Sequence, residues 1–365
     1  MKAFCTCLAL LLTAMGLHAE VPAFPAVETR AGLPKWATAQ IKEDLAPFAD
    51  GISTSDLDVY CRLEDGKVVI DHPTFSQRPE AVQRFQIVDN SIRTMNPAAD
   101  PVRTQRIVDA LKTLSEHIAL PDADFVVCLY DGVVPEIEGP IFGCSKPTGI
   151  RAILWPDFDM MAGYQGRIDF DAIFQKEPAW EAKKPIAIWR GATIGGTFRL
   201  DNWRTLPRSK LVLLSLINPT LLDARFSAVV EEPPEIAEEM AELGMLAPPM
   251  AIAEQLRYRY LIAIDANWCA HERIYWALRS HSTLLKVQSN QIQWYDQGLK
   301  ARVHYMPVSA DLTDLCDAIT WLRQHEPEAK LMAFTGNKFA QDNLTRSTAL
   351  RYMFLSLHEY SQLLK

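Results

Sequence analysis

Three observations predict an α/β protein of two domains built on parallel sheets. The first is the stretch 258–307, which reads strand, polar turn, helix, strand. Residues 260–264 are an apolar run, Asp265-Ala266-Asn267 break it, residues 274–278 carry apolar side chains at helical spacing, and 283–287 is a second β-branched and apolar run. The second is that apolar runs closed by a turn also occur upstream, at 125–130 and 186–189. The third is length, since 365 residues suffice for two ordinary α/β domains.

At the N-terminus, Lys2 precedes an apolar run over 4–17, with Ala19-Glu20 and a proline-rich stretch behind it. This pattern predicts a secretory signal over 1–19, hence an exported or secretory-pathway protein. An uncleaved anchor, tying the protein to a membrane and facing the cytosol, is the alternative, and a buried helix is a third reading. Removal of the segment would leave Cys61, Cys128, Cys144, Cys269 and Cys316. They form no C-x-x-C pair, so neither a zinc site nor a redox motif is indicated.

Residues 38–48 place Ile41, Leu45 and Phe48 on one helical face, and Thr38 can cap it. Residues 60–70 read as two short strands about Glu64-Asp65-Gly66. Ile107, Leu111, Leu114 and Ile118 mark an amphipathic helix over 101–119. The run 125–130 is the clearest buried strand of the first half, and Asp131-Gly132 ends it. A carboxylate at that point can face a cleft, although a turn aspartate fits the pattern as well. Four Asp-x-Asp triplets occur, at Asp56/Asp58, Asp122/Asp124, Asp157/Asp159 and Asp169/Asp171. A hard-cation site needs several oxygens converging, so no metal is expected.

Lys183-Lys184-Pro185 reads as the link to the second domain. Strand 186–189 runs straight into Arg190-Gly191-Ala192-Thr193-Ile194-Gly195-Gly196, where glycines let the backbone approach a phosphate or sugar. Arg208 leads the helix 211–216, against the helix dipole unless an anion sits there, and Asn218-Pro219 ends it. Residues 231–249 hold six glutamates and no lysine or arginine, which predicts a solvated helix between loops. The turn 265–273 lies between a strand's C-terminal end and a helix's N-terminal end. Open α/β sheets collect ligands there, and the helix start favours a phosphate. Arg273 enters the first helical turn and can clamp the same anion. Helices are predicted over 311–322, 328–344 and 350–364. Asn343-Leu344-Thr345 is a glycosylation triplet, relevant only in a eukaryotic secretory route.

Hydrophobic content of 48% with 22% charged residues is that of a globular protein, and no run after the N-terminus is long and apolar enough to span a bilayer. A formal net charge of −8 excludes a general nucleic-acid binder. No G-x-G-x-x-G follows a strand, which weighs against a dinucleotide-dependent dehydrogenase.

Several of these pieces, in this order, resemble the CAP10/Rumi-like glycosyltransferases (glycosyltransferase family 90). They are Asp131 with Pro135, Ser145-Lys146 and Trp155-Pro156-Asp157-Phe158 after it; Trp189-Arg190-Gly191-Ala192; the stretch 207–227; Tyr260 to Asn267 with Arg273; Leu284-Leu285-Lys286; Trp294; and Val303-His304-Tyr305-Met306-Pro307-Val308. Ala266 stands where the family usually has glycine, and Ala192 where serine is common. The resemblance runs from Trp36 to Leu364. It implies a GT-B fold, two Rossmann-like domains facing across a cleft, with an acceptor and catalytic-base domain over 36–184, a nucleotide-sugar domain over 185–345 and a last helix, 346–365, packing back on the first. It implies an inverting transferase that moves glucose or xylose from a UDP-sugar to a hydroxyl of a glycan, lipopolysaccharide or protein. Asp131 would be the catalytic base. The donor would lie on Arg190, Gly191, Ala192, Thr193, Arg208, Pro219, Asn267, Trp268, Cys269, Ala270, His271, Glu272 and Arg273, with no cofactor and no metal. A non-catalytic nucleotide-sugar- or glycan-binding descendant of the same fold is the alternative.

Overall fold

The computed structural model of the protein describes residues 33–164, 168–230 and 233–365. The segment 1–19 lies outside the described residues. The first domain is built on a five-stranded sheet of β1 (Val82–Val88), β2 (Ser91–Thr94), β3 (Ala123–Cys128), β4 (Ile141–Gly143) and β5 (Ile153–Leu154), in the order β2-β1-β3-β4-β5. β3, β4 and β5 are parallel, but β1 runs antiparallel to both neighbours. This sheet is therefore mixed, not wholly parallel. The cause is local: β1 and β2 are joined by Asp89-Asn90, both at positive φ, 48° and 63°. Two left-handed residues make the tight turn that reverses a chain against itself.

β1 carries buried polar side chains. Arg84 is 2% exposed and binds Asp58 at 2.6 Å and Asp124 at 2.7 Å, so both carboxylates are engaged in holding the sheet. Helices α1 (Lys35–Leu45) and α2 (Pro101–Ser115) pack on this domain. Asp100 starts α2 by accepting from the N–H groups of Val102 and Arg103, with Pro101 at the first helical position. Ile107, Ala110, Leu111 and Leu114 form its buried face.

The second domain has a wholly parallel sheet of β6 (Lys184–Ala192), β7 (Leu222–Ala228), β8 (Tyr258–Ala263), β9 (Thr283–Val287) and β10 (Met306–Val308). Its order is β7-β6-β8-β9-β10. The chain thus steps outward from β6 to β7, then crosses back to β8 on the other side. The crevice beyond the C-terminal ends of β6 and β8 is the topological switch point, where open α/β sheets bind ligands. Helices α3 (Pro207–Ile217), α4 (His271–Arg279) and α5 (Glu326–Asn343) connect and cover the sheet. The acidic stretch forms the helix Pro234–Glu242, which buries Ile236 and Met240 against the second core.

The two domains are interleaved. The last helix, α6 (Arg346–Ser361), returns to the first sheet, where Trp155 Nε1 donates to Ser356 Oγ at 2.6 Å and Tyr360 OH to the Asp124 carbonyl at 3.1 Å. Residues 289–299 leave the second sheet as well. Gln291–Ile292 pairs antiparallel with Lys146–Pro147, and Trp294 sits in the first core, 5.0 Å from the Tyr352 ring and 5.7 Å from that of Trp36. A single cut of the sequence near residue 184 therefore does not separate the two bodies. The cysteines Cys61, Cys128, Cys144, Cys269 and Cys316 are all free, and all but Cys316 are buried.

The Lys146 side chain ties α1 to the far edge of the first sheet. Its ammonium donates to Asp44 Oδ1 and to the Ala152 carbonyl, each at 2.6 Å, while Asp44 Oδ2 accepts from the Leu154 N–H at 2.9 Å. The two side chains are 7% and 0% exposed. Burial pushes the Asp44 carboxyl above its ordinary range, and Lys146 opposes that shift. A carboxyl raised in this way binds more protons folded than unfolded, so its stability contribution falls as pH rises above about 4. Lys146→Met strips Asp44 of its counter-ion. It is expected to cost about 3–5 kcal/mol at pH 8, the range for breaking a buried pair, and less at pH 5, as measured by urea unfolding at both values.

Candidate active site

β3 ends at Cys128, and Leu129 still donates to the Ala81 carbonyl at 2.7 Å. The chain then bends through Tyr130 and Asp131 at the C-terminal end of the strand. The Asp131 side chain is 50% exposed, and its Oδ1 accepts from Arg103 Nη2 at 2.8 Å. Arg103 stands in the first turn of α2, donates from Nη1 to the Leu129 carbonyl, and lies over the Phe158 ring at 5.1 Å. A cleft of about 300 Å³ opens beside it, lined by Asp131, Arg103, Arg106, Asp157, Asp159 and Phe158 from the first domain and by His271 and Glu272 from the second. Arg106 pairs with Asp159 at 2.6 Å. Asp157 caps the turn Phe158–Met161, and burial holds its carboxyl above the usual range.

In the second domain, two arginines meet at the switch point. Arg208, in the first turn of α3, donates to the carbonyls of Asp265 at 3.0 Å, Ala192 at 3.1 Å and Ile264 at 3.3 Å. Arg273, in the first turn of α4, donates to Gln255 Oε1 at 3.0 Å and to the Arg190 carbonyl at 2.5 Å. These partners are neutral oxygens. Burial pushes both guanidiniums down to about 10, and Arg208 adds its repulsion to Arg273. Asp265 and Glu272 supply the opposing charge that Arg208 and Arg273 feel. Neither α3 nor α4 starts with a side-chain cap. Two cations and two uncapped helix starts at one crevice suit a doubly charged anion. Arg190 differs: it is held in a 2.9 Å ion pair with Asp223, which occupies its charge.

The remaining candidates divide between scaffold and cleft. Gly191 and Ala192 finish β6. Thr193 Oγ1 accepts from the Val230 N–H at 2.8 Å and so fixes the loop that follows. Asn267 Oδ1 accepts from the N–H groups of Gly195 and Gly196 at 3.2 and 3.3 Å, tying that loop to the β8–α4 turn. Gly195 and Gly196 sit at φ +102° and +122°, where only glycine is comfortable. The Ala270 N–H donates to Asp265 Oδ1 at 2.9 Å. Trp268 reaches across to the first domain and stacks on Tyr130, with centroids 6.2 Å apart and planes at 20°. Cys269 is buried, its thiol pushed well up by burial. His271 bridges the domains, with Nε2 2.9 Å from the Asp131 carbonyl oxygen.

Pro219 does not join the others. It follows α3 at the end opposite Arg208, ~16 Å away by the helical rise, on the exposed N-terminal side of the sheet. Ser145 donates to the Asp131 carbonyl at 2.9 Å, while its neighbour Lys146 belongs to the core. Arg103, Arg106, Tyr130 and Gln255 were not singled out from sequence. The one available signal was an arginine three residues past the cap of a helix that precedes the Asp131 strand. Three of the four Asp-x-Asp pairs lie outside the cleft lining, where Asp56 caps a helix, Asp122 accepts from the Asp89 N–H and Asp169 from the Ala172 N–H, while Asp157 and Asp159 line the cleft itself. Among the described residues no group of three or more His, Cys, Asp or Glu is placed to hold a metal, and no helix is long and apolar enough to cross a membrane.

Two α/β domains facing across a cleft, one with a doubly wound parallel sheet, make this a fold of the GT-B type. The profile of Glycosyl transferase family 90 matches residues 36–365, and the chain belongs to that family. It is 26% identical over 264 residues to Protein O-glucosyltransferase 2 of Danio rerio, covering 69% of this chain and 50% of that protein. It is 23% identical over 347 residues to human Protein O-glucosyltransferase 1, covering 89% of this chain and 79% of the other. The chain thus spans about half the length of the first of these relatives. A solved structure of Anabaena Alr3699/HepE in complex with UDP overlaps 57% of each chain at 10% identity and a TM-score of 0.34, too distant to argue from.

The domain contact leaves no room at Gly132. A Cβ there would fall 2.6 Å from Trp268 Cε3 and closer still to Ser145 Oγ. Gly132→Ala must push the two walls apart. An overpacking cost of about 1–3 kcal/mol is expected, read as a lowered urea midpoint.

Proposed function

We propose that this chain is an inverting glycosyltransferase that moves a sugar from a UDP-sugar to an acceptor hydroxyl. The observation that carries the reading is the pair Arg208 and Arg273, two guanidiniums held on neutral partners at the switch point, with the Asp131 carboxylate in a cleft that the start of α4 reaches through His271 and Glu272. A diphosphate at the switch point would offset their mutual repulsion and take the N–H groups of two helix starts. The leaving UDP gathers negative charge as the sugar–phosphate bond breaks, and the same groups stabilise it in a site that excludes much water. The acceptor hydroxyl attacks the anomeric carbon from the opposite side and gives up its proton. Asp131 accepts that proton as general base. Arg103 holds Oδ1, which leaves Oδ2 for the proton. One carboxylate acting with in-line attack gives inversion.

The names of the relatives favour glucose as the sugar and a protein acceptor; xylose, and a glycan or lipopolysaccharide hydroxyl, would draw on the same chemistry. The N-terminal sequence favours export or a membrane anchor. The proposed mechanism uses no metal, because the arginines and helix starts do the work of a cation on the diphosphate. A non-catalytic descendant would have no need to keep Asp131 in the cleft beside the start of α4.

One set of variants tests the reading, with UDP release from UDP-glucose and UDP-xylose as the assay. Asp131→Asn should lower turnover roughly 10²–10⁴-fold and leave UDP affinity near wild type. Arg208→Ala and Arg273→Ala should each weaken UDP binding by about 1–3 kcal/mol in calorimetry. An Asn variant at wild-type rate, or unchanged UDP affinity in both arginine variants, would remove those residues from the site. Turnover is also expected to survive EDTA. Loss on chelation with recovery on adding manganese would require a metal at the diphosphate.

A further inference from the structure

We propose that His271 is the positioning residue of Asp131, the link through which the donor turn of the second domain fixes the main chain of the base in the first. The inference rests on the assignment of Asp131 above. His271 opens α4 two residues before Arg273, so it belongs to the helix start assigned to the diphosphate. Its ring crosses the cleft to the Asp131 carbonyl oxygen, 2.9 Å from Nε2. A carbonyl only accepts, so Nε2 carries the hydrogen. The same oxygen accepts from Ser145 Oγ at 2.9 Å. Both lone pairs of that carbonyl are thereby used, one by each domain.

The other ring nitrogen is held as firmly. Nδ1 lies 2.7 Å from Gln293 Oε1. Gln293 is 1% exposed, and its amide nitrogen is buried with no partner. A half-turn of that amide exchanges the two ends. It lets Gln293 Nε2 donate to Nδ1 and gives the stranded nitrogen its acceptor. Gln293 is itself fixed, because its N–H donates to Asp296 Oδ2 at 2.8 Å on the crossing segment 289–299. The imidazole is therefore clamped between a carbonyl of one domain and a buried amide. With both nitrogens engaged, it is not available to contact the donor directly.

Such a link matters because Asp131 lies in a bend beyond β3, outside the sheet ladder. Arg103 holds its carboxylate, but the direction of the carboxylate also depends on the main chain that carries it. An error of an ångström in a reacting group costs on the order of a hundredfold in rate. Seating the diphosphate on α4 and aiming the base then become one event.

The test uses the full chain in four forms: wild type, His271→Ala, His271→Gln and Asp131→Asn. UDP release from UDP-glucose with water as acceptor gives kcat and KM, and UDP titration gives affinity. A glutamine amide nitrogen reaches the position of Nε2 and can keep the bond. H271A is expected to lower kcat about ten- to a hundredfold with KM and UDP affinity within about twofold, and H271Q to recover most of the loss. A raised KM with unchanged kcat in H271A would make His271 a donor contact and overturn the inference. So would equal losses in H271A and H271Q. An inactive D131N beside an H271A of wild-type kcat would overturn the inference alone, whereas a D131N of wild-type rate would overturn the base and the inference with it.

Discussion

The crevice depends on how the ends of two parallel strands are satisfied. At the C-terminal ends of β6 and β8, four carbonyls, those of Arg190, Ala192, Ile264 and Asp265, point out of the ladder and accept from Arg208 and Arg273. A buried carbonyl without a partner costs as much as a lost hydrogen bond, so these arginines are structural before they are functional. Their second effect follows from the first. Guanidiniums anchored on backbone oxygens are fixed in direction, and their charge is compensated only through space by Asp265 and Glu272. The fold thus stores a preorganised positive field at the place where its topology already opens a crevice.

The opposite wall is organised by packing. Tyr130 carries the Trp268 ring, Gly132 admits its edge, and Phe75 stacks behind Tyr130 with centroids 6.4 Å apart. Behind this seam, residues 289–299 and α6 carry the second half of the chain back into the first core. The two domains are thus joined through Trp294 and Tyr352 in the first core and, beside the cleft, through His271.

Much of the second domain was legible because its residues obey one rule at a time. The run 260–264 fell within a residue or two of β8, 283–287 coincided with β9, and the helix between them starts three residues before the expected 274. Buried parallel strands are apolar throughout, so they stand out. The first sheet was harder to read. β1, next to its edge, was passed over because Gln83 and Arg84 interrupt its apolar pattern, and they are tolerated only because Asn96, Asp58 and Asp124 satisfy them from distant points in the sequence. The segment 289–299 falls within the expected second domain, 185–345, because nothing local reveals which core a tryptophan enters. The placement of Asp131 at a strand end was legible, whereas Arg103 and the bridging role of His271 depend on a fold that brings residues 28 and 140 positions apart together. Pro219 came in through its wording alone, and the length of α3 separates it from the rest.

The cysteines carry a consequence for how such a chain is made. Burial pushes the Cys128 thiol up to about 12 and holds Cys144 and Cys269 well above the ordinary thiol range. Only a thiolate attacks a disulfide, so these three buried thiols are shielded from exchange in the folded protein, whereas Cys316 is only partly buried. The nascent chain has no such protection. Every one of these thiols is exposed until the two interleaved cores close, and the first core cannot close before Trp294, Tyr352 and α6 have been synthesised. In an oxidising lumen the yield of active protein is then set by a race between late, long-range burial and adventitious cross-linking.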